Sequence, residues 1–157
     1  VAVLMLDVDR FKEINDTMGH GIGDRVLIEI GRRLRGALRD DDVLARFGGD
    51  EFVVLMEGIG NADVERRTGD LLDQVARPIA ADAMELYLDV SVGMALFPEL
   101  GSSAEELLRR ADIAMYDAKE SRSRLQLYRS GRDAEHLHRL SLVNDLRRAV
   151  PNGELTL

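Results

Sequence analysis

The chain has 157 residues, of which 45% are hydrophobic and 32% charged, with a formal net charge of −8 and no cysteine. This length suits one globular domain with a sizeable core and a short appendage, and the acidic balance with scattered arginines argues against a nucleic-acid-binding surface. The absence of thiols excludes a disulfide framework and a thiolate metal site and agrees with a cytoplasmic protein, and no apolar run approaches the roughly 20 residues of a membrane helix, so direct membrane insertion is not expected.

Val1 to Leu6 is a continuous apolar run that predicts a central strand buried on both faces, ending in Asp7-Val8-Asp9. The stretch Phe11 to Asp24 reads as a loop suited to ligand contact. Lys12 offers a point charge for phosphate, and Asn15 with Asp24 offers acceptors and donors that match the amide edge and exocyclic amine of guanine. Read singly, Asn15-Asp16 is equally a turn and Asp24 equally a helix cap. Gly19-His20 reads as a structural turn with a packed histidine. From Gly23-Asp24 onward, Val26, Leu27, Ile30, Leu34, Ala37 and Leu38 recur at helical spacing. The run Arg39-Asp40-Asp41-Asp42 that follows has, by charge alone, the look of a solvated helix end.

Leu44 to Phe47 and Phe52 to Met56 are β-favouring segments separated by Gly48-Gly49-Asp50-Glu51, which predicts a hairpin reversing through glycines of positive φ and carrying both acids at its tip. Such a turn in isolation is also an ordinary acidic hairpin in water. Beside the end of the first strand it takes on a different meaning. Asp7, Asp50 and the Val8 main-chain carbonyl then converge as hard oxygen ligands of the kind Mg²⁺ prefers, while Asp9 alternates to the other side as a structural acid.

Further on, Asn61 is expected to cap a helix bearing Val64, Leu71, Leu72 and Val75 that stops before Pro78. Met84 to Phe97 reads as two strands or one bent strand, with Gly93 marking a bulge or a close approach. Ser102 or Ser103 with Glu105 or Glu106 forms a capping box for a helix with Leu107, Leu108, Ala111, Met115 and Ala118 inward and Lys119 at its far end. Ser130 to Val150 reads as a charged helix with Leu137, Leu140, Val143 and Leu146 spaced for burial, before Pro151-Asn152-Gly153 and the start of another element at Glu154 to Leu157.

Five blocks together resemble one family. They are Leu6 to Asp16, Gly19-His20 with Gly23-Asp24, Arg46 to Phe52, Ser91-Val92-Gly93, and Ala111 to Lys119. In this order and spacing they are similar to the GGDEF domain of diguanylate cyclases, over roughly residues 1 to 128. The resemblance implies a ferredoxin-like palm of nucleotidyl-cyclase type, an α/β (α+β) fold with a mixed, mainly antiparallel sheet flanked by helices. It implies condensation of two GTP into cyclic di-GMP with release of two pyrophosphates, using Mg²⁺ or Mn²⁺.

By the same resemblance Asp7, Val8, Asp50 and Glu51 hold the metal. Asp50 and Glu51 carry catalysis, with Glu51 either completing the metal site or assisting deprotonation of the attacking hydroxyl. Lys12 and main-chain amides around Asp9 to Phe11 meet phosphate, Asn15 and Asp24 read guanine, and Lys119 with a second cation binds the triphosphate. After the alanine-lysine pair the family has a glycine and then a basic residue, whereas this chain has Lys119-Glu120-Ser121-Arg122-Ser123-Arg124. The second cation is Arg122 if one residue is deleted, and Ser123 stands there if none is. Arg39 and Asp42 match the RxxD sequence of an inhibitory product site. Because one domain holds one GTP, a homodimer is expected for catalysis. Residues 129 to 157 resemble a linker helix entering an EAL phosphodiesterase domain, so a GTP-binding regulatory module controlling an attached EAL domain is the alternative function; a terminal helix docked on its own domain is the other reading of that tail.

Overall fold

The computed structural model describes residues 1–82, 84–134 and 136. Its centre is strand β1, Ala2–Val8, buried along its whole length. On one side it pairs antiparallel with β3 (Glu51–Met56), which pairs antiparallel with β2 (Val43–Arg46). On the other side it pairs antiparallel with β6 (Val90–Leu96), and β6 pairs parallel with β7 (Leu125–Leu127). The sheet order is therefore β2-β3-β1-β6-β7, and a separate hairpin is formed by β4 (Ile79–Ala81) and β5 (Met84–Leu86). This is the mixed, mainly antiparallel sheet expected of the palm architecture.

Alternation along β1 divides the core between the two faces. Ala2, Leu4, Leu6 and Val8 join Val26, Ile30 and Leu34 of helix α2 (His20–Ala37) and Val64, Leu71 and Val75 of α3 (Asn61–Val75). Val3 and Met5 face the other way, onto Leu107, Ala111 and Met115 of α4 (Ala104–Ser121). The α4 helix starts with a capping box displaced by one residue: Ser103 Oγ accepts from the Glu106 amide at 3.2 Å, while Glu106 Oε2 accepts from the Ser102 amide at 2.8 Å. Gly93 is a close approach and not a bulge. A Cβ there would lie 2.0 Å from both Ala111 O and Met115 N, while the pairing Met5↔Gly93 continues the register unbroken.

Several expectations need correction. Phe11 to Asp24 is not a loop: it contains helix α1, Phe11–Met18, followed after Gly19 (φ 85°) by the first turn of α2. Asp24 therefore lies inside α2 and caps nothing, and His20 is exposed at the helix start. The α3 helix begins at Asn61, with Gly60 in the capping position. Of the tail, Arg132 pairs with Asp117 at 2.8 Å and Tyr128 is buried against Ile113 and Ala114; the expected helical face from Leu137 to Leu146 and the element at Glu154 to Leu157 lie outside the described residues. Among the described residues no helix is long and apolar enough to cross a membrane.

Candidate active site

The antiparallel pairing of β1 with β3 builds the acidic centre. Asp7 and Glu51 are direct cross-strand partners, so their side chains leave the same face of the sheet, and the Val8 amide donates to the Asp50 carbonyl at 3.3 Å. Asp50 ends the Gly48-Gly49-Asp50 turn and Glu51 opens β3, so both acids lie at the tip of the β2-β3 hairpin, which is set against the end of β1. Gly48 and Gly49 make the tip without positive φ; the positive-φ glycines among the described residues are Gly19, Gly58, Gly101 and Gly131. A Cβ on Gly48 would come within 2.7 Å of Glu51 Oε2, so the glycine leaves that carboxylate room to stand where it does. Arg46, which was not singled out in the sequence, fixes the turn by donating from Nε and Nη2 to the Gly49 carbonyl at 3.1 and 2.6 Å. Its position at the mouth of the hairpin is the signal that could have marked it.

Asp7 is the buried member, with 8% of its surface exposed. Burial pushes its carboxyl above the usual range, the Lys119 ammonium pulls it down through a hydrogen bond and its charge, and the charges of Asp50 and Glu51 push it up. Lys119 Nζ, from the last turn of α4, lies 2.7 Å from Asp7 Oδ1. Asp9 takes a different role, accepting from Ser91 Oγ at 2.9 and 3.1 Å and so tying the end of β1 to β6.

Among the described residues no three acidic, histidine or cysteine side chains are gathered into a metal cage. The donor chemistry nonetheless suits a hard divalent cation. The charges of Asp50 and Glu51 raise the cost of ionising Asp7, and this buried carboxylate already holds a positive group, the Lys119 ammonium.

Beside this centre, α1 and α2 pack so closely that a Cβ on Gly23 would fall 2.0 Å from Asn15 Oδ1 and 3.1 Å from Phe11 Cζ. Asn15 thus lies over Gly23 of α2, while the neighbouring Asp24 is exposed. Lys12 is exposed on α1. A cavity of about 810 Å³ runs from Asp7 and Lys119 along α1 towards β5 and includes Arg122 in its lining.

The end of α4 resolves how the unusual Lys119 to Arg124 sequence turns. Arg122 is the left-handed residue (φ 53°, ψ 35°) that closes the helix, and the Ser123 amide donates back to Ala118 O at 3.0 Å. Arg122 therefore occupies the conformation that glycine usually fills.

Arg39 and Asp42 are placed differently from one another. Arg39 is exposed, whereas the Asp42 side chain is 1% exposed, accepting from the Arg39 amide at 2.8 Å and from Arg67 Nη2 at 2.5 Å. One Asp42 oxygen and one Arg67 nitrogen remain buried without a protein partner. Arg67, on α3, gave no local signal in the sequence because its partner is 25 residues away.

The comparisons with known proteins agree with this geometry. The family model for the diguanylate cyclase GGDEF domain matches residues 1–124. The chain is 39% identical over 157 residues to the bifunctional diguanylate cyclase/cyclic di-GMP phosphodiesterase MucR of Pseudomonas aeruginosa, covering 99% of this chain and 23% of that protein. It therefore spans about a quarter of that relative's length. Among solved structures, the GGDEF domain of TpbB (YfiN) from Pseudomonas aeruginosa aligns with TM-score 0.82 at 40% identity, over 87% of this chain and 81% of that one. An EAL/GGDEF domain protein from M. capsulatus aligns with TM-score 0.76 at 42% identity, over 82% and 84%. With the family matched across most of its length and the acidic hairpin set against the end of β1, the chain belongs to the GGDEF family.

Proposed function

We propose that residues 1–128 form a diguanylate cyclase domain that condenses two GTP into cyclic di-GMP and releases two pyrophosphates. The observation that carries this reading is the cross-strand pairing of Asp7 with Glu51, which assembles carboxylates from distant parts of the chain next to a lysine and a nucleotide-sized cavity. Asn15 at the α1-α2 seam and the neighbouring Asp24 hold the guanine and so fix the ribose and phosphates relative to the hairpin. Lys12, Lys119, Arg122 and the main chain around Phe11 receive the phosphates.

Asp7, the Val8 carbonyl, Asp50 and Glu51 are the residues that would hold Mg²⁺ or Mn²⁺, which when bound neutralises the triphosphate and lowers the pKa of the attacking 3′-hydroxyl. Glu51 either completes that site or accepts the hydroxyl proton. Lys119, which lies 2.7 Å from Asp7 Oδ1, would be free to meet a phosphate oxygen if that carboxylate held the cation. Since each domain presents one such half-site, the second GTP comes from a second copy facing it, and turnover requires a homodimer. Arg39, with Asp42 and its orphaned buried oxygen behind it, is the site at which cyclic di-GMP feeds back.

A dimeric preparation incubated with GTP and Mg²⁺ is expected to yield cyclic di-GMP, identified by mass. Asp50→Ala and Glu51→Ala should keep the parent's circular dichroism and lose turnover on the order of a thousandfold, because they remove transition-state stabilisation and no core contact. A different product, or an active Glu51→Ala protein, overturns the assignment.

One observation favours a second reading. Arg122 closes α4 in the left-handed conformation, and if no residue is deleted Ser123 stands where the family places its second cation. A domain that binds GTP without converting it would then serve as a regulatory module for an attached EAL phosphodiesterase domain, and the same incubation separates the two readings.

A further inference from the structure

After β7 the chain turns back onto its own domain. It reverses through Gly131 (φ 96°), where the Arg132 amide donates to Arg129 O at 3.3 Å, and residues 128–136 then lie along α4. Tyr128 is the first anchor. Its amide donates to Met94 O at 2.8 Å, its ring is buried against Ile113 and Ala114, and the Arg110 guanidinium stands 5.2 Å from the ring centroid. The Tyr128 hydroxyl donates to Asp133, which also pairs with Arg109. Arg132 grips Asp117 with two parallel hydrogen bonds, Nε to Oδ2 at 2.9 Å and Nη2 to Oδ1 at 2.8 Å. Beyond it the His136 ring meets the Tyr116 ring edge-on, with centroids 5.5 Å apart. None of these side chains lines the cavity at the acidic centre.

We propose that residues 128–136 are a clasp through which the polypeptide beyond them controls the end of α4, and with it the placement of Lys119. The inference rests on the proposed cyclase reading only for what Lys119 then does, which is to meet phosphate. Asp117 and Lys119 are two positions apart, so they leave the helix about 200° from one another. Arg132 holds the first, and Asp7 holds the second at 2.7 Å from the end of β1. The helix closes just beyond them, the amides of Arg122 and Ser123 donating to Lys119 O and Ala118 O at 3.3 and 3.0 Å. Ser121 Oγ donates to Asp117 O at 2.7 Å within the same turn. The last turn of α4 is therefore tied on opposite sides, and releasing Asp117 loosens the turn from which Lys119 reaches the site. The Arg132–Asp117 pair is suited to being released, because its side chains are 39% and 23% exposed and water can replace each partner. With the clasp seated, Lys119 stands at Asp7; with the clasp pulled away, it does not.

The chain has two lysines, so the exposed Lys12 is an internal reference for Lys119. Trace acetylation with acetic anhydride, read for each lysine by peptide mass, compares the parent with Arg132→Ala, with Asp117→Asn, and with the exchanged pair Asp117→Arg and Arg132→Asp. An ammonium locked to a carboxylate meets the reagent less readily than one in water. Both single variants are therefore expected to raise the ratio of Lys119 to Lys12 labelling about threefold, and the exchanged pair to bring it back towards the parent. Hydrogen exchange at the Arg122 and Ser123 amides should quicken about tenfold in the single variants, while the Ala76 amide, which donates to Leu72 O at the end of α3, keeps its parent rate. Parent-like labelling and exchange in the single variants overturn the clasp. An equal loss of protection at Ala76 also overturns it, because Arg132 would then be a general stabiliser, and so does an exchanged pair that labels as heavily as Arg132→Ala. None of these readouts needs GTP. A chain that gives the expected labelling and exchange but makes no cyclic di-GMP sinks only the cyclase reading.

Discussion

Asp7 shows how a functional position is held against its own stability. Its carboxyl is pushed up by burial and by the neighbouring charges of Asp50 and Glu51, against the pull of Lys119. A folded pKa above the unfolded one means that the folded state keeps the proton longer. The associated stability is present below the unfolded value of 3.8 and is lost as pH rises through the folded value, so at neutral pH ionised Asp7 weakens the fold. Asp7→Asn, which imitates the protonated acid, is therefore expected to melt at or above the parent temperature at pH 7 while losing cation affinity. A lower melting temperature would show that the Lys119 pair outweighs burial. The sequence revealed Asp7 as a candidate because it ends an apolar strand, yet the compensation by Lys119 depends on a contact across 112 positions that no local pattern encodes. The glycines teach a similar lesson. Gly48 was visible as a residue needing a reason, but the reason is room for the Glu51 carboxylate and not backbone handedness.

Elements with strong periodicity and recognisable ends were legible; those created by tertiary contact were not. The α4 helix announced itself through its serine-glutamate capping box and its apolar stripe, both of which the structure contains. By contrast, α1 has eight residues, mostly polar, without a side-chain cap, and it forms because Phe11 and Asn15 lie against Gly23 of α2. That seam holds Asn15, so the misread loop and the missed helix-helix contact are one error. The most demanding contact between elements is Gly93 beneath α4. A methyl group there would meet Ala111 O and Met115 N at 2.0 Å, and these are helix backbone atoms that cannot rotate aside. Gly93→Ala is expected to cost about 3 kcal/mol or more in denaturant unfolding. Because the displaced helix carries Lys119, GTP affinity should fall in whatever fraction stays folded. An alanine variant with parent stability would mean that α4 does not cross β6 this closely.

At the scale of the whole molecule, the two helices on one face of the sheet are latched through a single glutamate. Glu29 on α2 accepts from Arg32 Nε and Arg33 Nε, each at 2.7 Å. Arg33 in turn donates to the carbonyls of Val75 at 3.2 Å and Pro78 at 2.7 Å, and also to that of Arg77, so it closes the end of α3 and fixes the entry to β4. The hydrogen bond from Arg32, followed by that from Arg33, lowers the Glu29 pKa from 4.5 to about 2. With the folded value depressed, the latch contributes stability above the unfolded pKa of 4.5 and loses it as pH falls towards 2. Glu106, lowered by the Ser102 amide that it accepts from, acts in the same direction at the start of α4. Glu29→Gln cannot titrate and keeps only a neutral acceptor for Arg33. Its melting temperature should lie a few degrees below the parent's at neutral pH, and the gap should narrow steadily as both proteins are taken from about pH 5 to about pH 2.5. A gap that stays constant across that range would assign the loss to packing. A gap that closes would show that one ionised carboxylate, through an arginine reaching over forty residues along the chain, sets the relation of α2 to α3 beneath the site.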